Sequence, residues 1–245
     1  MKILIVIPAR WGSSRFVGKP LAKINKIPMI KRVYKKAVKS KEASDVIVAT
    51  DDKKISNFCK NENIKVIMTS KSCNSGTDRV YQVSKKIKSD IYVNLQGDEP
   101  LIKPQSIDKV INLLKKNISR GYEIATGYSE FKDEKYQKDK SITYLVKSIN
   151  NEVKYISRSK IPSNFKGNSY KKKAIGLFVF TKKMLKKFCT LRQSPLEINE
   201  NIEILRSVEN DIKVICTSLN EKYLGSVDYP TDIKRIEKIL NKSKN

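Results

Sequence analysis

Four short apolar runs alternate with stretches of mixed polarity through the first half of the chain. KILIVIP (2–8), DVIVAT (45–50), IKVIM (64–68) and DIYVNLQ (90–96) are rich in β-branched residues and bounded by turn formers. That is the signature of strands buried on both faces. Between them, residues 29–40, 52–62, 77–88 and 104–117 repeat apolar side chains near every 3.6 positions, which predicts helices. The alternation predicts an α/β fold, a mostly parallel sheet flanked by helices. Such sheets bind ligands beyond the carboxyl ends of their strands. The chemically rich residues fall there: Ala9-Arg10, Thr50-Asp51 and Asp98-Glu99.

The second half is less regular. ITYLVKSI (142–149), EVKYIS (152–157) and KKAIGLFVF (172–180) predict strands, and Leu196–Val208 and Thr231–Leu240 predict helices. Residues 163–173, with Gly167 and several lysines, read as a mobile surface loop. No repeat or low-complexity linker divides the chain, so one compact α/β unit with an elaborated, smaller second lobe is expected.

Composition narrows the function. The chain has 245 residues, of which 39% are apolar, as a soluble globular protein would. No apolar run approaches the roughly 20 residues that span a membrane. The apolar part of the N-terminus, Ile3–Ile7, is too short for a signal-peptide core. A cytoplasmic protein without membrane partners is expected. The net charge of +26 raises the alternative of a nucleic-acid binder, but only nine of the 51 basic residues are arginine and the lysines are spread end to end. Sequence-reading proteins cluster their basic residues and favour the arginine fork. No nucleic-acid partner is therefore expected, and the diffuse positive field suits capture of small anions. The four cysteines show no metal or redox spacing, and there is no histidine. Every Ser-His or Cys-His mechanism is excluded: either proton transfer and metal binding rest on carboxylates, lysine or tyrosine, or the chemistry needs no general base of note.

IPARWGSSRFVGKP (7–20) follows the first predicted strand. It is not a Walker loop: five residues separate Gly12 from Gly18, and Pro20 stands where the magnesium-binding hydroxyl would be. A glycine-containing loop with Arg10, Arg15 and Lys19 still suits a polyphosphate, because backbone N–H groups and three cations can neutralise several charges. VNLQGDEP (93–100) ends a strand with Asp98, and GSVDYPTD (225–232) supplies Asp228 before a helix. Two such acids beside a cationic loop can hold Mg²⁺ on a substrate phosphate. Asp232 reads as a helix cap. NSGTDR (74–79) offers Ser75, Gly76 and Arg79, either to a planar ligand or as an ordinary turn in which Thr77 caps the next helix.

IPARWGSSRFVGKPL, VIVATDD, SGTDR, VNLQGDEPLI, SRSKIP and GSVDYP, taken in that order and spacing, resemble the family of 3-deoxy-manno-octulosonate cytidylyltransferases, or CMP-KDO synthetases. The resemblance runs from Ile3 to about Leu240. It implies Mg²⁺-dependent transfer of a cytidylyl group from CTP to the anomeric hydroxyl of 3-deoxy-manno-octulosonate (KDO), with release of pyrophosphate, for lipopolysaccharide or capsule synthesis. By position, it implies that Arg10, Ser13, Arg15 and Lys19 contact the triphosphate. It implies that Ala9, Thr50, Ser75, Gly76 and Gln96 line the cytidine pocket with Arg79 nearby, and that Asp98 and Asp228 ligate the metal; Arg10, Lys19, Asp98 and Asp228 are the catalytic set. It also implies a nucleotide-binding core over about 1–120 and 210–245, a sugar-binding and dimerisation lobe over about 121–209, and a homodimer.

The sugar side departs from the family pattern. Members usually carry Lys-His-Ile/Val-Gly-Ile/Leu-Tyr where this chain has Lys173-Ala174-Ile175-Gly176-Leu177-Phe178, and Glu-Gln-Leu-Arg where it has Glu203-Ile204-Leu205-Arg206. Three hydrogen-bonding groups are thereby replaced by Ala174, Phe178 and Ile204. Either Glu203, Arg158 or Tyr170 compensates, or the acceptor is a modified KDO, such as the 8-amino sugar, or another 2-keto-3-deoxy sugar acid.

Overall fold

The structure is a computed structural model that describes residues 1–13, 15–131, 142–163, 165, 170–219 and 225–242. The elements follow the chain as β1 (Ile3–Ala9), β2 (Lys23–Ile24), β3 (Ile27–Pro28), α1 (Met29–Ala37), β4 (Asp45–Thr50), α2 (Lys53–Asn61), β5 (Val66–Met68), α3 (Gly76–Lys86), β6 (Ile91–Leu95) and α4 (Pro104–Asn117). Then come β7 (Ile124–Phe131), β8 (Tyr144–Lys147), β9 (Val153–Ser157), β10 (Lys171–Thr181), α5 (Lys182–Thr190), α6 (Pro195–Glu200), α7 (Leu205–Glu209), β11 (Val214–Ser218) and α8 (Asp232–Lys242). The chain forms two compact units, Met1–Asp108 with Gly225–Asn245 and Lys109–Leu224.

The first unit is the α/β half that the sequence predicts. β1 pairs in parallel with β6 and β4, and β4 with β5. Each parallel step needs a crossover, supplied by α1, α2 and α3. Leu4, Ile5, Val6 and Ile7 have no solvent exposure, as a strand covered on both faces requires. α1 turns Met29, Ile30, Val33 and Ala37 inward and its lysines outward. α2 begins at Asp52, whose carboxylate accepts the N–H of Lys54. α3 begins at Ser75, not Thr77: Ser75 and Asp78 exchange reciprocal side-chain bonds to each other's N–H groups. That reciprocity satisfies two otherwise orphaned donors and outcompetes a cap two residues later. Thr77 is instead buried and accepts from Asn94 Nδ2 at 3.0 Å.

A small satellite core lies at the edge of this unit. β2 and β3 form a tight hairpin through Asn25 and Lys26, both at positive φ. Ile24, Met29, Val227 and Ile236 pack together, with Phe16, Leu101, Ile233 and Leu240 around them. The cluster therefore pins together the basic loop (through Phe16), the residue before Asp228, and α8.

The second unit is more antiparallel. β7 pairs antiparallel with β10, β10 with β8 and β8 with β9, while β11 runs parallel to β7. β8, β9 and β10 match the predicted strands; β7, β11 and α5 lie in stretches to which the sequence reading assigned no element. The helix predicted over Leu196–Val208 is broken into α6 and α7, because Asn201 takes the left-handed conformation at the end of α6. β10 shifts register against β7 between Ala174 and Phe178. Of the surface loop predicted over 163–173, residues 171–173 instead begin β10 with Lys171 and Lys173 buried, and residues 164 and 166–169 lie outside the described ones.

Candidate active site

The loop after β1 is folded around its tryptophan. The Trp11 carbonyl accepts the N–H groups of Ser13 and Gly18, each at 3.0 Å. Gly18 sits at φ +71°, and a Cβ there would lie 3.1 Å from the Trp11 ring. Both constraints favour glycine. Lys54 Nζ covers the ring at 4.5 Å from its centroid. The chain then enters a 3-10 turn, Lys19–Leu21, with Pro20 buried. The turn aims Lys19 inward: Nζ donates to Asp98 Oδ2 at 2.6 Å and to the Val227 carbonyl at 2.9 Å.

Asp98 reaches this point because the turn after β6 lies against β1. A Cβ on Gly97 would stand 3.1 Å from the Pro8 carbonyl oxygen, so a side chain there would push the turn away. The Val227 N–H donates to the Asp98 carbonyl at 3.0 Å, tying the two acidic segments together. Asp98 Oδ1 is buried and has no hydrogen-bond partner among the described residues. Beside it, Arg15 pairs with Asp228 Oδ1 at 2.8 Å, and its guanidinium lies 5.6 Å from the Tyr229 ring centroid.

The turn holding Asp228 is fixed by Asp232. One oxygen of its carboxylate accepts the N–H groups of Asp228 and Tyr229 at 2.8 and 2.9 Å, and the other takes Arg235. Burial works against the charge, but these donors outweigh it and hold the Asp232 carboxyl below its ordinary value. The cap expected at Asp232 is thus a device that orients Asp228.

The strand ends place Ala9 directly opposite Thr50. Thr50 is buried, its hydroxyl accepting the Asp52 N–H. Gln96 is half-buried at the end of β6, Gly76 opens α3, and Ser75 spends its hydroxyl on the cap. Arg10 is exposed, and Ser13 is half-buried in the loop. Arg79 points into the protein: its guanidinium, 3% exposed, bonds Asp51 Oδ2 at 3.0 Å, Thr69 Oγ1 at 2.6 Å and the Ser70 carbonyl. It fastens the ends of β4 and β5 to α3. Its partner Asp51, one of the strand-end residues the sequence marks, thus serves as the anchor of Arg79.

The residues of the sugar side all lie in the second unit. Arg158 Nε donates to the Glu200 carbonyl, and its backbone N–H donates to the Glu200 carboxylate, each at 2.8 Å. Ala174 and Ile204 are buried, Phe178 and Glu203 are half-buried, and Tyr170 is exposed. Arg206, in the motif with Ile204, forms a fully buried pair with Glu197 at 2.6–2.7 Å. Sequence reading missed Lys171 and Lys173, both nearly fully buried on β10. They share the face of Ile175, Leu177 and Val179, so strict alternation along KKKAIGLFV marks them. Among the cysteines, burial pushes the Cys59 thiol up to about 11 and the Cys216 thiol to about 12, which disfavours the thiolate.

The described residues contain no group of three or more His, Cys, Asp or Glu side chains that could hold a metal. A pair of carboxylates is nonetheless the ligand set Mg²⁺ uses when substrate phosphates and water complete its shell. The buried, unpartnered Asp98 Oδ1 is what such an ion would satisfy, and the residues fit it.

A parallel sheet whose strand ends carry a basic loop and Asp98, with Asp228 brought beside them ahead of α8, is the framework of a nucleotide-binding α/β transferase. The chain belongs to the cytidylyltransferase family, whose model matches residues 4–215, and is thus a nucleotidyltransferase. It is similar to a 3-deoxy-manno-octulosonate cytidylyltransferase from Thermodesulfovibrio yellowstonii, at 39% identity over 98% of this chain and 99% of that one. It is also similar to an 8-amino-3,8-dideoxy-manno-octulosonate cytidylyltransferase from Shewanella pealeana, at 37% identity over 97% and 98%. A solved CMP:2-keto-3-deoxy-manno-octonic acid synthetase complexed with CTP superposes with a TM-score of 0.89 at 31% identity, covering 99% of this chain and 100% of that one. No helix among the described residues is long and apolar enough to cross a membrane.

Proposed function

We propose that the protein transfers a cytidylyl group from CTP to the C2 hydroxyl of KDO with Mg²⁺, giving CMP-KDO and pyrophosphate. The observation that carries this is the Lys19–Asp98 contact with its unsatisfied carboxylate oxygen, at the mouth of a cytidylyltransferase sheet. The acceptor hydroxyl attacks the α-phosphorus in line while pyrophosphate leaves, a step governed by positioning and charge neutralisation rather than covalent help. Lys19, Arg15 and Arg10 bind the triphosphate and offset the charge that gathers on the leaving group. Asp98 and Asp228 would hold the metal, which when bound supplies Lewis-acid activation of the hydroxyl and the phosphate. Ala9, Thr50 and Gln96 face the nucleoside, and Ser75-Gly76 bring backbone to it. Arg79 acts by holding that wall in place. The expected assembly is a homodimer.

The 8-amino sugar is the second reading. It is supported by the Shewanella relatives and by apolar Ala174, Phe178 and Ile204 where the family usually offers hydrogen bonds. Each neutral hydrogen bond lost weakens binding of a hydroxylated tail by about 0.5–1.5 kcal/mol. Pyrophosphate release from CTP and Mg²⁺, with KDO and with 8-amino-KDO in parallel, tests both. The larger kcat/KM assigns the acceptor, and release with neither would overturn the proposal.

A further inference from the structure

We infer that Lys19 and Arg15 are reversible occupants of the acidic pair, so that metal gains Asp98 and Asp228 only after a polyphosphate has drawn these two cations away. The inference rests on the proposed reaction and adds an order of loading to it.

The two cations of the phosphate loop sit on the two carboxylates one to one: Lys19 Nζ 2.6 Å from Asp98 Oδ2, and Arg15 2.8 Å from Asp228 Oδ1. Lys19 also takes the carbonyl of Val227, the residue before Asp228, so its ammonium lies between the acidic segments. With Lys19 held on Oδ2, a divalent ion on Asp98 Oδ1 would stand beside an ammonium, and the like charges oppose its binding. Lys19 spends two of its three N–H donors on the Asp98 carboxylate and the Val227 carbonyl, and Arg15 one end of its fork on Asp228, so a triphosphate gains their full charge only by drawing them away. The acids and the incoming phosphates therefore compete for one pair of cations, and a polyphosphate brings more negative charge than two carboxylates.

The geometry lets the exchange happen. Arg15 is 38% exposed, on a loop flanked by Gly12 and Gly18, and rests on the Tyr229 ring beside its carboxylate. That ring gives the guanidinium a place to stand when no anion is present. On the acidic side, Asp98 Oδ1 has no donor among the described residues even while Lys19 is in place. When Lys19 leaves, the carboxylate keeps its need for a cation, and burial makes that need acute. Nucleotide binding thus raises the affinity of the acidic pair for metal, and linkage requires metal to raise nucleotide affinity by the same factor.

Removing a gate cation should strengthen metal binding in the nucleotide-free protein while weakening nucleotide binding. The test titrates wild type, Arg15→Met, Lys19→Met and the double variant Arg15→Met/Asp98→Asn with Mn²⁺, following bound ion by electron paramagnetic resonance. Each single variant should tighten Mn²⁺ binding by about tenfold, the scale on which one adjacent charge alters a carboxylate's affinity for a cation. The double variant should lose the gain. The sole tryptophan, Trp11, lies in the loop, so tripolyphosphate in the presence of EDTA should change its fluorescence in wild type.

Unchanged or weaker Mn²⁺ binding in both single variants would overturn the inference. A parallel titration with CTP present separates this from failure of the proposed function. If Asp98→Asn reduces protein-bound Mn²⁺ there, the metal site stands and only the gate is wrong. If it does not, Asp98 is no ligand, and the proposed mechanism falls together with the gate.

Discussion

Two ion pairs in this molecule use similar groups in opposite ways. Arg206 and Glu197 in the second unit are 4% and 3% exposed. Both carboxylate oxygens take guanidinium nitrogens, further donors reach the Phe188 and Leu191 carbonyls, and the Phe188 ring covers the guanidinium at 4.7 Å. Lys19 and Asp98 in the first unit are 14% and 19% exposed, and one carboxylate oxygen is left without a partner among the described residues. A buried pair with its bonds completed is scaffold. A pair kept incomplete at the edge of solvent is poised to exchange partners.

The sharpest way to break this contrast is at the scaffold pair. Arg206→Met leaves Glu197 charged and buried, so unfolding free energy should fall by about 3–5 kcal/mol, measured by urea denaturation. A smaller effect is expected at Gly18. Gly18→Ala forces a side chain to φ +71° and against Trp11, which should destabilise the loop by about 1–2 kcal/mol and shift Trp11 emission, while CTP affinity falls more than global stability. Val227→Ala thins the satellite core under Asp228 and should lower stability by about 1–2 kcal/mol, with KM for CTP rising alongside.

The smallest effect concerns Asp232. Its folded-state carboxyl is held below the ordinary value, so its contribution is complete above the unfolded value near 4 and lost as pH falls through the folded one. The stability difference between wild type and Asp232→Ala should therefore be largest at neutral pH and shrink toward pH 3, as followed by thermal unfolding. A difference independent of pH would remove the charge from the explanation.

The two units also differ in how far their sequences could be read. β1, β4 and β6 are covered on both faces, so they appear as unbroken apolar runs, and helices between them enforce parallel order. β7 escaped because Gly127 and Ser129 interrupt its run; Gly127 lies so close to Leu219 that a Cβ would stand 2.6 Å away, a tertiary contact that local pattern cannot reveal. The break at Asn201 likewise depends on one residue adopting positive φ. At the site, the sequence shows the basic loop and Asp98 after strands and Asp228 before a helix, and the structure brings Lys19 to Asp98 and Arg15 to Asp228. The inward turn of Arg79 onto Asp51 was not, since a buried arginine and a ligand-binding one have the same letter. Lys171 and Lys173 were readable by alternation alone, but their charge argued for the surface.

Asp98→Asn decides most directly whether the first-unit pair works or merely supports. Turnover with CTP, Mg²⁺ and the better acceptor, and urea unfolding, should be measured on the same preparation. The expected result is a loss of turnover of about a hundredfold or more with unfolding free energy within about 1 kcal/mol of wild type. Turnover near the wild-type level, or a loss that merely tracks unfolding, would contradict it.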